Sequence, residues 1–239
     1  MERQPSKKGK KFWGEQWWDG LHSGAAFYTP EHEKDFRLLI QGYKGNTPCK
    51  QCRMHFAQNL IKFPVDPYLT DSKKLLLWSY IVHDSVNQSH NSHIAGTGEP
   101  PKIYPQFHDV MKKYTTLPPE TWDKSWRFIL HSAAVVYTPE SANDYVCLVK
   151  AFTGLIPSVA SRVKFVQALE ECPLAPYLRN NHDLFFWSYT VCSLMMKRAP
   201  VNASRLSKTA FGPETSTSYE DVKRYYFAGL GEDCKTCDV

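Results

Sequence analysis

No run of about 18 or more apolar residues occurs in the chain, so none of its helices is expected to cross a bilayer and no membrane partner is expected. The N-terminus carries no apolar signal-peptide core, from which a chain outside the usual secretory route is expected. Nothing alternates convincingly with period two, which points away from strands. Charge of one sign is scarce as well: 29 Lys and Arg against 24 Asp and Glu leave +5, part of it in Lys7, Lys8, Lys10 and Lys11. So short a basic arm reads as a solvated tail, and no nucleic-acid partner is expected. Cysteine is present only 7 times, an odd count that does not suit a disulfide scaffold of this length.

Aromatic surface, by contrast, is abundant. The 7 Trp, 13 Tyr and 13 Phe suit a protein that wraps rings around something large and flat, although core packing accounts for most of them. With 42% hydrophobic residues, the 239-residue chain can bury one large core or two small ones. Four cysteines form two C-x-x-C pairs, Cys49/Cys52 and Cys234/Cys237, while Cys147, Cys172 and Cys192 stand alone in apolar settings. Without an export signal, such pairs argue for redox chemistry or metal binding, and the lone thiols for inert core positions.

The chain also repeats itself. Leu21-His22-Ser23 returns as Leu130-His131-Ser132 and Tyr28-Thr29-Pro30-Glu31 as Tyr137-Thr138-Pro139-Glu140, an offset of 109 residues in both (131 minus 22, 137 minus 28). The register holds through Trp17/Trp126, Arg53/Arg162, Phe56/Phe165 and Trp78-Ser79-Tyr80/Trp187-Ser188-Tyr189. Two copies of one fold are expected, at 12–115 and 119–230, followed by a tail at 231–239. Each copy reads as helical. Thr29-Pro30-Glu31 supplies a capping hydroxyl, a proline for the first helical position and an acid for the dipole, and Asp71-Ser72 opens a helix with one apolar face. Helices are predicted near 14–28, 31–43, 49–63 and 72–89, with a short one near 105–114.

The chemistry resides in the first copy alone. Pro48-Cys49-Lys50-Gln51-Cys52-Arg53 faces Pro157-Ser158-Val159-Ala160-Ser161-Arg162, so both sulfurs give way to hydroxyls. Cys49 is predicted at the first turn of a helix, where backbone N–H groups, the dipole, Lys50 and Arg53 stabilise a thiolate. A three-residue spacing sets both sulfurs on one face, within disulfide reach. By itself the motif is open to other readings, as half of a zinc site completed by Cys234/Cys237 or as a thioredoxin-like centre. The thioredoxin-like centre needs a strand before the motif, and none is visible. The zinc site belongs to a non-catalytic helical interaction module and leaves the aromatic and histidine pattern unused.

Trp-x-x-x-Leu-His at Trp17 to His22, then Tyr28 with Pro30, Pro48-Cys49-x-x-Cys52 with Phe56, Trp78, and His83-x-x-Val86-Asn87 together resemble the Erv/ALR family of FAD-dependent sulfhydryl oxidases. The resemblance covers nearly all of the N-terminal copy, and the C-terminal copy resembles a degenerate member. It implies an all-α chain of two tandem four- or five-helix bundles forming an intramolecular pseudo-dimer. It further implies FAD as cofactor, no metal, protein thiols as substrates, molecular oxygen as acceptor and hydrogen peroxide as product. Carried over by position, Cys49 meets incoming thiols and Cys52 lies nearest the isoalloxazine. Trp17, His22 and Tyr28 would contact flavin or adenine, Trp78 would wall the pocket, and His83 and Asn87 would line it. Cys234 and Cys237 correspond to a shuttle disulfide on a flexible tail. The same resemblance leaves a further homodimer open and implies a virion or infected-cell cytoplasm, the mitochondrial intermembrane space being the alternative. The family's His-Asn-x-Val-Asn is followed by a leucine and a lysine; here Asp84 replaces the first Asn and Gln88 to Ser92 offer neither, so Lys102 and Tyr104 become the candidates for the cofactor contacts.

Overall fold

The computed structural model describes residues 12–96, 98, 100–197 and 218–231. Among them ten α-helices form and no strand: α1 (Gly14–Ala26), α2 (Glu33–Asn46), α3 (Lys50–Lys62), α4 (Ser72–Ala95), α5 (Phe107–Thr116), α6 (Asp123–Val135), α7 (Ala142–Leu155), α8 (Val159–Glu171), α9 (Asn181–Lys197) and α10 (Tyr219–Gly231). The fold is all-α, and none of these helices is long and apolar enough to cross a membrane.

Helix starts follow local chemistry. Asp71 accepts the Lys74 N–H at 2.8 Å and opens α4. Thr29 behaves differently from expectation. Pro30–His32 forms a 3-10 turn ahead of α2, and the Thr29 hydroxyl donates to the Glu31 carboxylate at 3.0 Å instead of capping the backbone. Helix α4 reaches Ala95 rather than 89, because Ser89 and Ser92 turn their hydroxyls back onto the carbonyls of Ser85 and Gln88 and no breaker intervenes before Gly96.

The first four helices start at 14, 33, 50 and 72, and α6 to α9 start at 123, 142, 159 and 181, each 109 later. The fifth also recurs, at a different register. Tyr114 of α5 packs on His22 at 5.1 Å between ring centroids, and Tyr226 of α10 packs on His131 at 5.0 Å, an offset of 112 (226 minus 114). Phe107 meets Tyr80 at 5.5 Å as Tyr219 meets Tyr189 at 5.3 Å. The change of register hides this helix from a search at constant spacing.

The halves join through α2 against α7 and α1 against α6. Their contacts are reciprocal. Trp17 Nε1–H donates to Ser132 Oγ at 2.9 Å, and Trp126 Nε1–H donates to Ser23 Oγ at 3.0 Å. Gly45 faces Asp144 while Gly154 faces Asp35, so close that a Cβ on Gly45 would sit 2.1 Å from the Asp144 carboxylate and 2.3 Å from its Cβ. Such crowding leaves no side-chain tip to swing aside. Gly45→Ala is therefore expected to force α2 from α7 and to lower unfolding stability by about 1–3 kcal/mol, read from the urea midpoint.

Candidate functional site

Helix α3 begins on a cysteine. Cys49 is its N-cap, with Sγ accepting the Cys52 N–H at 3.2 Å, so the sulfur takes one of the donors that a helix start leaves open. Arg53, one turn on, donates to the Thr47 carbonyl at 2.6 Å and ties the preceding turn to α3. Cys49 is 1% exposed, whereas Cys52 is partly exposed.

Cys52 stands on the wall of a cavity of about 650 Å³ between α1, α3 and α4. That volume lies inside the range of about 300–1,000 Å³ common to small-molecule and cofactor sites. Trp13, Trp17, Trp18, Tyr43 and Phe56 give it aromatic walls, and Asn87, His90, His93 and Lys102 give it polar ones. Flat apolar faces, a sulfur, a lysine and imidazole N–H groups together suit a large planar anionic ligand, and the residues present fit a flavin dinucleotide. Among the described residues, no group of three or more His, Cys, Asp or Glu side chains is gathered to hold a metal.

Behind the wall runs a directed hydrogen-bond chain. Ser79 donates its hydroxyl proton to the Leu76 carbonyl at 2.8 Å, so it accepts from His22 Nδ1–H at 2.9 Å. His22 Nε2 is then an acceptor, and His83 Nδ1–H donates to it at 3.0 Å. His83 in turn stacks on Trp18 with centroids 3.9 Å apart and planes 6° from parallel. Burial, aided by His83 and Lys113, holds His22 well below the usual imidazole range. Burial and then Lys113 bring His83 down to about 4. Both rings are neutral at pH 7. Nearby, Asp19 takes the Lys113 ammonium at 2.9 Å and the Tyr114 hydroxyl, which keeps the lysine charge anchored beside the pair.

The equivalent place in the C-terminal half is filled. Asp123, Arg127, Phe152, Ile156, Ser161, Cys192 and Met195 close around about 10 Å³. Arg127 stands 109 after Trp18, Ser161 after Cys52 and Cys192 after His83. Ser161 donates its hydroxyl to the Asp123 carboxylate at 2.5 Å, and burial raises that carboxyl to about 6. Where Gly14 leaves room in α1, Asp123 occupies it in α6.

Of the residues singled out from sequence, Trp17, Cys52 and Asn87 lie on the cavity wall. His22 and His83 sit behind Trp18, one layer back. Tyr28 and Trp78 lie off the cavity and are engaged elsewhere: Tyr28 donates to the Leu69 carbonyl at 2.9 Å and Trp78 to the Phe63 carbonyl at 2.9 Å. Tyr137 and Trp187 do the same in the C-terminal half, to Leu178 and Cys172, so both pairs of rings are held alike in the two halves. Lys102 and Tyr104 both reach the cavity. Sequence reasoning missed Trp18, His55, His90 and His93. The i, i+3 spacing of His90 and His93 on a continued α4 was the available signal. Cys234 and Cys237 lie outside the described residues.

Known proteins place this geometry in context. The Erv1 / Alr family model matches residues 15–104, a stretch that holds all of the cavity lining but Trp13 and Gly14. The chain is 28% identical over 122 residues to a probable FAD-linked sulfhydryl oxidase of Acanthamoeba polyphaga mimivirus, covering 49% of this chain and 80% of that protein. It is 30% identical over 98 residues to an FAD-linked sulfhydryl oxidase of African swine fever virus, covering 39% of this chain and 81% of that one. No solved structure matches with significance. With a relative 30% identical and aligned over 81% of its length, and a family model matching residues 15–104, the chain belongs to the Erv1/Alr family.

Proposed function

We propose that this chain is an FAD-dependent thiol oxidase that forms disulfides in protein substrates, with oxygen as electron acceptor. The observation that carries the reading is Cys52 on the wall of an aromatic cavity of cofactor size, one helical turn from the cap sulfur of Cys49. The names of the two viral relatives support it.

In the oxidised centre a substrate thiolate attacks Cys49 Sγ, the Cys49–Cys52 bond breaks, and the electron pair leaves on Cys52. The second substrate thiolate then attacks the substrate sulfur of the mixed disulfide. This step releases Cys49 and closes the substrate disulfide, so two electrons rest on Cys49 and Cys52. Held beside Cys52 by Trp17, Trp18 and Asn87, FAD would supply a two-electron acceptor: Cys49 and Cys52 would close their disulfide again, and the electron pair would pass with two protons to oxygen, giving hydrogen peroxide. The N-terminus of α3 stabilises the thiolates through its dipole and the Cys52 N–H. Trp17 and Trp18 supply flat faces against which a planar ring is held, and Asn87 supplies an amide on the same wall. Because Cys49 is buried, attack on it requires a local movement that uncovers its sulfur.

The C-terminal half serves as a built-in partner subunit, making a pseudo-dimer with one working site; the reciprocal Trp–Ser and Gly–Asp contacts support this. Cys234 and Cys237 ferry electrons from clients to Cys49 and Cys52. In support, Gly229 near the end of α10 lies against Phe12, the residue before the cavity residue Trp13. Two residues separate Gly231 from Cys234, so the three steps between them reach at most about 11 Å. The viral relatives favour the virion or infected-cell cytoplasm as its location.

A visible absorption spectrum of the purified chain tests the reading. A flavin band is expected, at one flavin per chain because the other half's site is closed. A colourless, zinc-loaded protein would sink the proposal, and two flavins per chain would overturn the single-site part of it.

A further inference from the structure

The cavity lining divides by chemistry. Its apolar rings are Trp13, Trp17 and Trp18 at the start of α1, Tyr43 of α2 and Phe56 of α3, while His90 and His93 come from the last turns of α4 and Lys102 from the segment that follows; His55 of α3 adds a fourth basic group. No Asp or Glu is among the lining residues. A wall with four basic side chains and no carboxylate is selective for an anion.

Lys102 is held there by a two-point clamp. Asn91 donates its amide Nδ2–H to the Lys102 carbonyl and accepts the Lys102 N–H, both at 2.9 Å. Tyr104 Oη and His90 Nδ1 lie 3.1 Å apart, which fastens the same strap to α4 two residues further on. The strap thus returns along α4 and brings a lysine to the cavity that α4 itself lacks between Gln88 and Ser92.

We infer that this basic part of the cavity receives the diphosphate of the cofactor, with Lys102 as the main charge and Asn91 as its positioning residue. The inference rests on the flavin reading above and deepens it. Phosphate oxygens accept charge-assisted hydrogen bonds from ammonium and imidazole N–H groups, and riboflavin, which has no phosphate, gains nothing from them.

The test is a fluorescence-quenching titration of the full chain, stripped of flavin, with FAD and with riboflavin. FAD is expected to bind more tightly than riboflavin. Lys102→Ala is expected to weaken FAD about tenfold or more, with riboflavin unchanged, and Lys102→Arg to retain most of the FAD affinity. Asn91→Ala is expected to weaken FAD alone, to a smaller degree. Inorganic pyrophosphate should compete with FAD and not with riboflavin. Equal loss of both flavins in Lys102→Ala, or no loss of either, overturns the diphosphate assignment and leaves the flavin reading standing. Failure of the unmodified chain to bind any flavin overturns both.

Discussion

Replacing Cys52 by serine is expected to abolish oxygen uptake with dithiothreitol as donor, while the unfolding free energy stays within about 1 kcal/mol of the parent. The C-terminal half of the chain is an internal control for this prediction. There Ser158 caps α8 by accepting the Ser161 N–H at 3.3 Å, as Cys49 caps α3 by accepting the Cys52 N–H at 3.2 Å. Hydroxyls therefore occupy both positions without loss of the helix start. A hydroxyl cannot carry an electron pair out of a disulfide, so chemistry is lost and fold is kept. Oxygen uptake surviving in Cys52→Ser would remove Cys52 from the mechanism. Substituting Cys234 and Cys237 is expected to leave the small reductant unaffected and to slow reaction with protein thiols. Equal loss with dithiothreitol would end the shuttle proposal.

Acid is expected to destabilise the N-terminal half through His22 and His83. Both rings have folded pKa values below the ordinary 6.5, so between 6.5 and about 4 the unfolded chain binds more protons than the folded one. Their stabilising contribution is complete above 6.5 and is lost as pH falls. For His83, the gap between 6.5 and about 4 corresponds to about 3 kcal/mol, lost at about 1.4 kcal/mol per pH unit. Burial is the main cause of the direction, and the surrounding charges add to it. A proton on His22 Nε2 would face the His83 Nδ1–H across 3.0 Å, and Lys113, held by Asp19, opposes added charge on either ring. Asp123 works the other way: its carboxyl, raised to about 6, contributes stability at low pH that is lost as pH rises through 6. A difference curve cancels it. Urea unfolding of the parent and of His83→Gln, from pH 4 to 7, should show a shallower acid slope in the variant. Parallel curves would mean that His83 is not held neutral in the folded chain.

Much of the architecture was legible before any coordinates. The starts of α3 and α4 follow from the capping side chains of Cys49 and Asp71, and the 109-residue register follows from identities that survive in both halves. The loss of both sulfurs in one half, with Trp17 and Trp78 repeated in both, pointed to a single chemical site. Tyr28 and Trp78 illustrate the limit. A ring repeated in both halves could pack or bind, and only its partner decides; both donate their polar hydrogens to backbone carbonyls.

The order of residues along the chain by itself determined the helical class, the duplication and the place of Cys49 and Cys52 at a helix start, because these depend on spacing within one or two turns. Which side chains share a wall was decided by tertiary packing. Trp18 stacked on His83 65 positions later (83 minus 18), Lys102 brought back by Asn91, and Arg127 helping to fill the C-terminal half's cavity arise from helices that meet at long range. Local periodicity says which face of a helix is apolar, but not what stands opposite that face, so the cavity and its basic rim became visible only when α1, α3 and α4 were assembled.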